Sequence, residues 1–369
     1  MRVTVPSLLL TLLISMPQLV AADSPLGMKT GNPELKSISS MTFGPSGILF
    51  IGDALGARLF AFETGDRNEI GSGPQPIVGL NRKLAEQINC EPAQLRITDL
   101  AVNHETGHLF LAAVVAGQSP RLFQITGAQI RELDLANAPF SQVALPNPVE
   151  DKETGEGRRR RNNRPQAITD LSYLEGRLLV AGLSNAQGAT TVWSVPFPFD
   201  EVDAGTPVEF YHSAHGRNED HPPIRTFVPF VINGEPNLLA GFVCTPLVRF
   251  PLKQLENTAP VHERVKGTTV AELGNHNQPL DLIHYQRDGQ DFLLLSNSAR
   301  GVMKISTEGL DDNPGLTQHV PDGGTAGQSF TPVPDLQGTV ELGKLNDSQA
   351  VVLQQQGAGE LDLRIVDLP

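Results

Sequence analysis

The densest chemistry in the sequence lies in one stretch, His212-Ser-Ala-His-Gly-Arg-Asn-Glu-Asp-His221-Pro-Pro-Ile-Arg225. Three of the nine histidines of the chain, His212, His215 and His221, fall within ten residues here. A second stretch supplies His276 and Asn277, with Glu272 shortly before them. Imidazoles with carboxylates nearby are ligands for a transition metal such as zinc, copper or iron. His212, His215, His221 and His276 are therefore candidate metal ligands, and Glu219, Asp220 or Glu272 could ligate beside them or orient the rings. The same groups could instead hydrogen-bond one another and the backbone to order a long loop, and His-x-x-His spacing alone does not separate the two readings.

A second set recurs along the chain. Asp99, Asp170 and Asp281 stand at one place in the words ITDL, ITDL and PLDL, with Arg225 and Ser40 at the corresponding places of two further segments. An Asp near the start of a strand commonly accepts from backbone amides of its own or a neighbouring turn. Arranged as a ring, the same carboxylates would suit a cation or a polyhydroxylated ligand. Asp99, Asp170, Asn277 and Asn297 are candidate ligand-binding residues on that basis. Arg225, Asp281 and Arg300 are candidates for a catalytic or charge-stabilising role. The sequence carries no G-x-S-x-G, no H-E-x-x-H and no Gly-rich phosphate loop.

The elements that must position these groups repeat. Segments opening at residues 38, 97, 168, 225 and 280 each hold an inner strand, a Gly-containing turn, a strongly apolar strand, a short loop and an alternating strand. A degenerate copy opens at 340. Such internal similarity with room for a fourth, outer strand is the mark of a propeller blade. Outer strands are expected at 76–80, 141–145, 208–211, 268–273 and 316–320. The fold class is thus all-β, a six-bladed β-propeller with four-stranded antiparallel blades. The last copy lacks an outer strand, and residues 26–36 are expected to supply it and close the ring. Links from outer to inner strands are mostly long (81–96, 146–167, 212–223, 274–279 and 321–334), and they open on the face that also carries the loops after the middle strands. Function is expected on that face, around the channel mouth.

The word Phe43-Gly-Pro-Ser-Gly-Ile-Leu-Phe-Ile-Gly-Asp53 resembles the "FxPDGxLYVAD" blade opening of the wider gluconolactonase, NHL and soluble quinoprotein glucose dehydrogenase group. The resemblance runs through the repeat along the whole chain and implies the six-bladed fold. Those lactonases carry a metal-binding Glu on the inner strand of the first blade, where this chain has Ser37, Ser39 and Ser40. No quinone-binding signature transfers residue by residue.

Residues 1–22 read as a secretory signal: Arg2, an apolar run interrupted by Pro6 and Pro17, then Val20-Ala21-Ala22. A secreted or periplasmic protein with a single propeller domain over 23–369 is the expectation, with no transmembrane span. The formal net charge of −13 speaks against a nucleic-acid partner, which needs a basic stripe. The run Arg158 to Arg161 is the exception and reads as a solvated loop or a docking patch for an acidic partner. Cys90 and Cys244 are the only cysteines, and an even pair in an exported chain favours a disulfide. Two function classes follow. One is a binding propeller holding a small molecule, a glycan or a protein partner at the channel mouth. The other is a metal-dependent hydrolase or small-substrate oxidoreductase at the same face.

Overall fold

The computed structural model describes residues 1, 26–67, 73–157, 160–185, 190–256, 264–357 and 359–369. The expected signal segment, apart from Met1, lies outside the described residues, as do Arg158, Arg159 and His262. The described chain is all-β, with short strands and little helix.

Strands β1 (Lys29–Thr30), β2 (Ser40–Phe43), β3 (Ile48–Asp53) and β4 (Arg58–Glu63) come first. The chain then forms helix α1 (Leu80–Gln87) and strands β5 (Leu95–Val102), β6 (Leu109–Val115), β7 (Arg121–Thr126) and β8 (Gln129–Leu133), which pair in that order as one four-stranded sheet. Only after this sheet is complete does β9 (Pro139–Ala144) return to pair with β4. The outer strand expected at 141–145 for the second repeat therefore belongs to the first, and β8 fills that place in the second. β3 shows why middle strands read as unbroken apolar runs: all six of its residues are buried, because a sheet lies against each face.

A short hairpin, β10 (Glu153–Thr154) and β11 (Arg161–Asn162), follows. Strands β12 (Asp170–Leu174), β13 (Arg177–Leu183), β14 (Thr190–Pro196) and β15 (Thr206–His212) form the next unit, with β16 (Arg217–Glu219) folded back on β15. Strands β17 (Ile224–Ile232), β18 (Glu235–Phe242), β19 (Pro246–Pro251) and β20 (Val265–Glu272) form another, with the short helix α2 (Leu252–Glu256) between the last two. A parallel pairing of Val208–Phe210 with Val265–Gly267 fuses these two units into a ten-stranded sheet. Strands β21 (Pro279–Arg287), β22 (Gln290–Asn297) and β23 (Gly301–Ser306) take β25 (Phe330–Pro332) as fourth strand, while β24 (Ala326–Gly327) adds to β20. The expected outer strand at 316–320 is not the one used. Strands β26 (Thr339–Lys344), β27 (Gln349–Gln356) and β28 (Glu360–Asp367) complete the fold.

The arrangement is propeller-like. The inner strands β2, β12, β17, β21, β26 and β5 touch one another in that order, and β5 touches β2 again. Apolar clusters fill each gap between adjoining sheets. Phe50 and Ile48 of β3 pack with Val180 and Trp193, and Leu49 and Ile51 pack with Phe110 and Ala112 of β6. Leu111 and Ala113 of β6 pack with Val351 and Leu353 of β27. The sheet of β5–β8 thus lies between the first sheet and the last, out of chain order, and the sheet of β12–β15 adjoins the first.

This detour changes the expected closure. Lys29 and Thr30 pair with Phe140 and Pro139 of β9, at the outer edge of the first sheet, so the N-terminal strand does not complete the last one. The sheet of β5–β8 stands between them. Residues 76–80 do not add to the first sheet either. Ile77 bridges Leu363 of β28 with reciprocal backbone hydrogen bonds of 2.9 Å, and α1 packs beside it against the core shared by β5, β6 and β27. Asp66 pins the connection leaving β4: it accepts from Asn103 at 2.7 Å, Thr106 at 2.7 Å and Gln124 at 3.1 Å, and it pairs with His108 Nδ1 at 2.6 Å.

Cys90 and Cys244 are not bridged. Cys90 packs against the core shared by β5, β6 and β27, whereas Cys244 lies in the loop after β18. In the ring, β17 is separated from β5 by β21 and β26 on one side and by β12 and β2 on the other. The disulfide expectation fails because the two thiols belong to sheets on opposite sides of the channel.

Candidate functional site

Two acidic constellations occupy the expected face. The first is the ring on the inner strands. Four of these strands carry a bulge one residue before a recurring place: between Ile97 and Asp99, Ile224 and Thr226, Pro279 and Asp281, and Thr339 and Glu341. The recurring place thus holds Ser40, Asp99, Asp170, Thr226, Asp281 and Glu341. Glu341 escaped the sequence reading because the last repeat is degenerate. Arg225, expected at this place, is the bulge residue itself, since a bulge re-aims its side chain.

Each aspartate ties its own strand to a neighbour. Asp170 accepts from Leu171 N–H at 2.8 Å and from Phe227 N–H of β17 at 2.7 Å. Asp281 accepts from Leu282 N–H at 2.7 Å and from Leu342 N–H of β26 at 2.6 Å. Asp99 accepts from Met41 N–H of β2. The ties cross alternate interfaces of the ring, and Ser40 Oγ reaches Asp170 across one of the others at 3.2 Å. The carboxyls line a narrow cavity of about 260 Å³. Burial pushes Asp170 up from 3.8 to about 6 against the amides that oppose it. Burial takes Asp281 to about 7, with the charge of Asp170 adding to it. Asp99 and Glu341 also rise well above the carboxylate range, first through burial and then through their acidic neighbours. Burial lowers the Arg225 guanidinium, and attraction to Asp170 and Glu341 opposes this.

The second constellation is built by a hairpin. β15 and β16 pair His212 with Arg217 and Phe210 with Glu219 across a tight turn, with Gly216 at φ +64°. Glu219 therefore lies diagonally across from His212. Its Oε2 meets His212 Nδ1 at 2.6 Å, and its Oε1 meets His215 Nδ1 and the Arg217 guanidinium, each at 2.9 Å. The two imidazole centroids are 4.0 Å apart. Burial alone would raise Glu219, but hydrogen bonds from His212, His215 and Arg217 outweigh it and hold the carboxyl down at about 2. Behind His212 lies Glu272, wholly buried, its Oε2 accepting from Ala214 N–H at 3.1 Å and standing 3.9 Å from His212 Nε2. Among the described residues, His212 Nε2, Ser213 Oγ and Glu272 Oε1 are buried without hydrogen-bond partners. Burial raises Glu272, opposed by the Ala214 amide and by His212.

Two of the four candidate metal histidines thus come together, His212 and His215, with Glu219 as the third possible ligand. His221 is exposed and pairs with Asp220. Its strand end is fixed elsewhere, because Thr190 bonds Asp220 O at 3.0 Å and Pro222 O at 2.9 Å. His276 is exposed in a left-handed turn, φ +57°, and is not part of the group. Beside it Cys244 and Thr245 also adopt positive φ, +66° and +60°. That is an unfavourable conformation for a β-branched threonine. Thr245 Oγ1 donates to Gly274 O, and Cys244 N–H donates to Asn277 O at 2.9 Å, which hold the turn. Burial raises the Cys244 thiol, the His276 amide opposes this, and the charges of Glu272 and Glu219 add to it.

Asn277 and Asn297 are buried and serve each other: Asn277 Nδ2 donates to Asn297 Oδ1 at 3.0 Å, and Asn277 Oδ1 accepts from Ala299 N–H at 3.0 Å. They order the loops. Arg300 lies over Gly274, where a Cβ would come within 2.3 Å of the guanidinium carbon, and donates to Gly323 O at 3.2 Å.

An open pocket of about 720 Å³ lies between the hairpin and Arg225. His215, Arg217, Glu219 and His221 form one wall, Arg225 and Gln278 another, and Arg161 and Gln166 a third. Every one of these residues except Arg225 comes from a link between outer and inner strands. A larger cleft of about 900 Å³, between residues 32–35 and the β7–β8 hairpin, is far poorer in chemistry, and its Arg121 and Glu132 are paired at 2.8 Å.

No protein-family model matches the chain, and no curated protein matches it. Among solved structures the chain is similar to the β-propeller domain of Cps50 (Swd1) from Myceliophteria thermophila, at 10% identity and a TM-score of 0.39, covering 90% of this chain and 84% of that one. It is similar to the PQQ-bound aldose sugar dehydrogenase of Streptomyces coelicolor, at 9% identity and a TM-score of 0.33, covering 92% and 97%. It is also similar to the apo form of the soluble aldose sugar dehydrogenase of Escherichia coli, at 11% identity and a TM-score of 0.34, covering 92% and 99%. At these identities the likeness concerns the fold alone.

Proposed function

We propose that the protein is an exported six-bladed propeller, one domain over residues 23–369, that binds a small anionic ligand in the pocket between the β15–β16 hairpin and Arg225. The observation that carries this is the charge balance of the pocket wall. In a chain of net charge −13, this pocket gathers Arg161, Arg217 and Arg225. Its two acids are already engaged: Glu219 with His212, His215 and Arg217, and Asp220 with His221 and Arg264. Arg161 and Arg225 make no ion pair in direct contact among the described residues, Asp170 and Glu341 attracting Arg225 only from farther off, and Arg225 Nε is buried without an acceptor among them. A carboxylate or phosphate would satisfy both guanidiniums. Export is supported by the signal-like residues 1–22, and no helix among the described residues is long and apolar enough to cross a membrane.

The test is calorimetric titration of the dialysed protein with a panel of small carboxylates, phosphates, acidic sugars and matched neutral sugars. Binding confined to the anions, and weakened at least tenfold by Arg161→Ala with Arg225→Ala, is the expected result. Neutral sugars binding as tightly as acidic ones, or indifference to the double substitution, would refute it. A second reading, a metal-dependent enzyme at the same face, draws on the juxtaposition of His212, His215 and Glu219.

A further inference from the structure

We infer that His212, His215 and Glu219 form a site for a divalent transition-metal ion such as zinc, with Glu272 as the carboxylate that orients His212 from behind. One donor atom from each of His212, His215 and Glu219 lies within 4.8 Å of the others. Only a small opening separates that cluster from coordination around one ion at ~2.0–2.2 Å.

The unpartnered atoms behind the cluster carry the argument further. His212 Nε2 is buried without a hydrogen-bond partner among the described residues, 3.9 Å from Glu272 Oε2, and Glu272 Oε1 is likewise unpartnered. A metal on Nδ1 leaves the one proton of a neutral imidazole on Nε2, on the side of Glu272. A carboxylate behind a ligating imidazole is the usual support of such sites. Arg217, largely exposed, is free to swing off Glu219 Oε1 as the ion takes that oxygen.

His215 and Glu219 also line the pocket, so the open coordination position faces it. The inference rests on this being the functional face. It does not rest on the anionic ligand, and its test uses the metal alone, so the two readings fail separately.

The experiment is titration of the chelator-treated full-length protein with Zn²⁺ by calorimetry and with Co²⁺ by visible absorption. One equivalent of Zn²⁺ should bind, and Co²⁺ should develop the intense visible bands of a four- or five-coordinate ion. His215→Ala and Glu219→Gln, both at the rim, should weaken Zn²⁺ at least a hundredfold. Glu272→Gln should weaken it ~10- to 100-fold. His221→Ala and His276→Ala should bind as the unmodified protein does. The inference is overturned by the absence of saturable Zn²⁺ binding, by a Co²⁺ spectrum showing only the weak bands of the hydrated ion, or by unchanged affinity in both His215→Ala and Glu219→Gln. The cobalt spectrum needs no substitution and stands even where a variant fails to fold.

Discussion

The inner-strand ring and the β15–β16 hairpin both place carboxylates at the mouth of the channel, yet they differ in what their oxygens face. In the ring, Asp170 and Asp281 each spend two contacts on backbone amides, one on their own strand and one on the neighbour. Their charge is opposed by burial, and both titrate high, at about 6 and about 7. In the hairpin, Glu219 is held by side chains alone, which bring its carboxyl down to about 2, and has Glu272 and the unpartnered His212 Nε2 behind it. Carboxylates that face amides fasten strands together. A carboxylate that faces two imidazoles, beside an open pocket, has the arrangement that the proposed metal site requires.

That contrast can be broken most severely at Asp170. Asp170→Ala removes the acceptor of two amide donors and of Ser40, and each orphaned donor costs about 1–3 kcal/mol. Denaturant unfolding should show a loss of about 3 kcal/mol or more. A loss under 0.5 kcal/mol would mean that the ties do not hold the ring.

The pH dependence follows from the same ring. The folded chain keeps protons on Asp170 and Asp281 to about 6 and about 7, whereas the unfolded chain releases them near 4. The folded state therefore binds more protons between pH 4 and 7, so stability falls as pH rises through that window. Melting temperatures at pH 5 should exceed those at pH 8, and a rise toward pH 8 would contradict the account. Glu341→Gln sharpens this result. Glu341 is raised by burial and by Asp99, Asp281 and Asp170, and replacing its ionisable carboxyl should stabilise the fold at pH 8. At pH 4.5 it should change little. His221→Ala carries the smallest effect, within about 0.5 kcal/mol, as befits an exposed side chain.

Much of this was legible in the residues. The inner and middle strands follow from alternation and apolar runs, and ITDL, ITDL and PLDL mark the tied aspartates. The bulge at Arg225 was not legible, because a one-residue slip leaves no trace in composition. Nor was the order of the sheets, since the return of β9 to β4 depends on how the Asp66 network and Phe140 pack. Of the histidines, Gly216 in a four-residue turn was the usable signal. It places Glu219 diagonally across from His212, and it would have separated those two residues from His221 and His276.

The central claim, that the ring fastens and the hairpin binds, is tested most directly by Zn²⁺ titration of Asp170→Ala beside His215→Ala, at a pH and temperature where both remain folded. The account predicts that Asp170→Ala takes up Zn²⁺ with unchanged affinity despite its lower stability, while His215→Ala loses Zn²⁺ and keeps its stability. Loss of the metal in Asp170→Ala with retention in His215→Ala would contradict it.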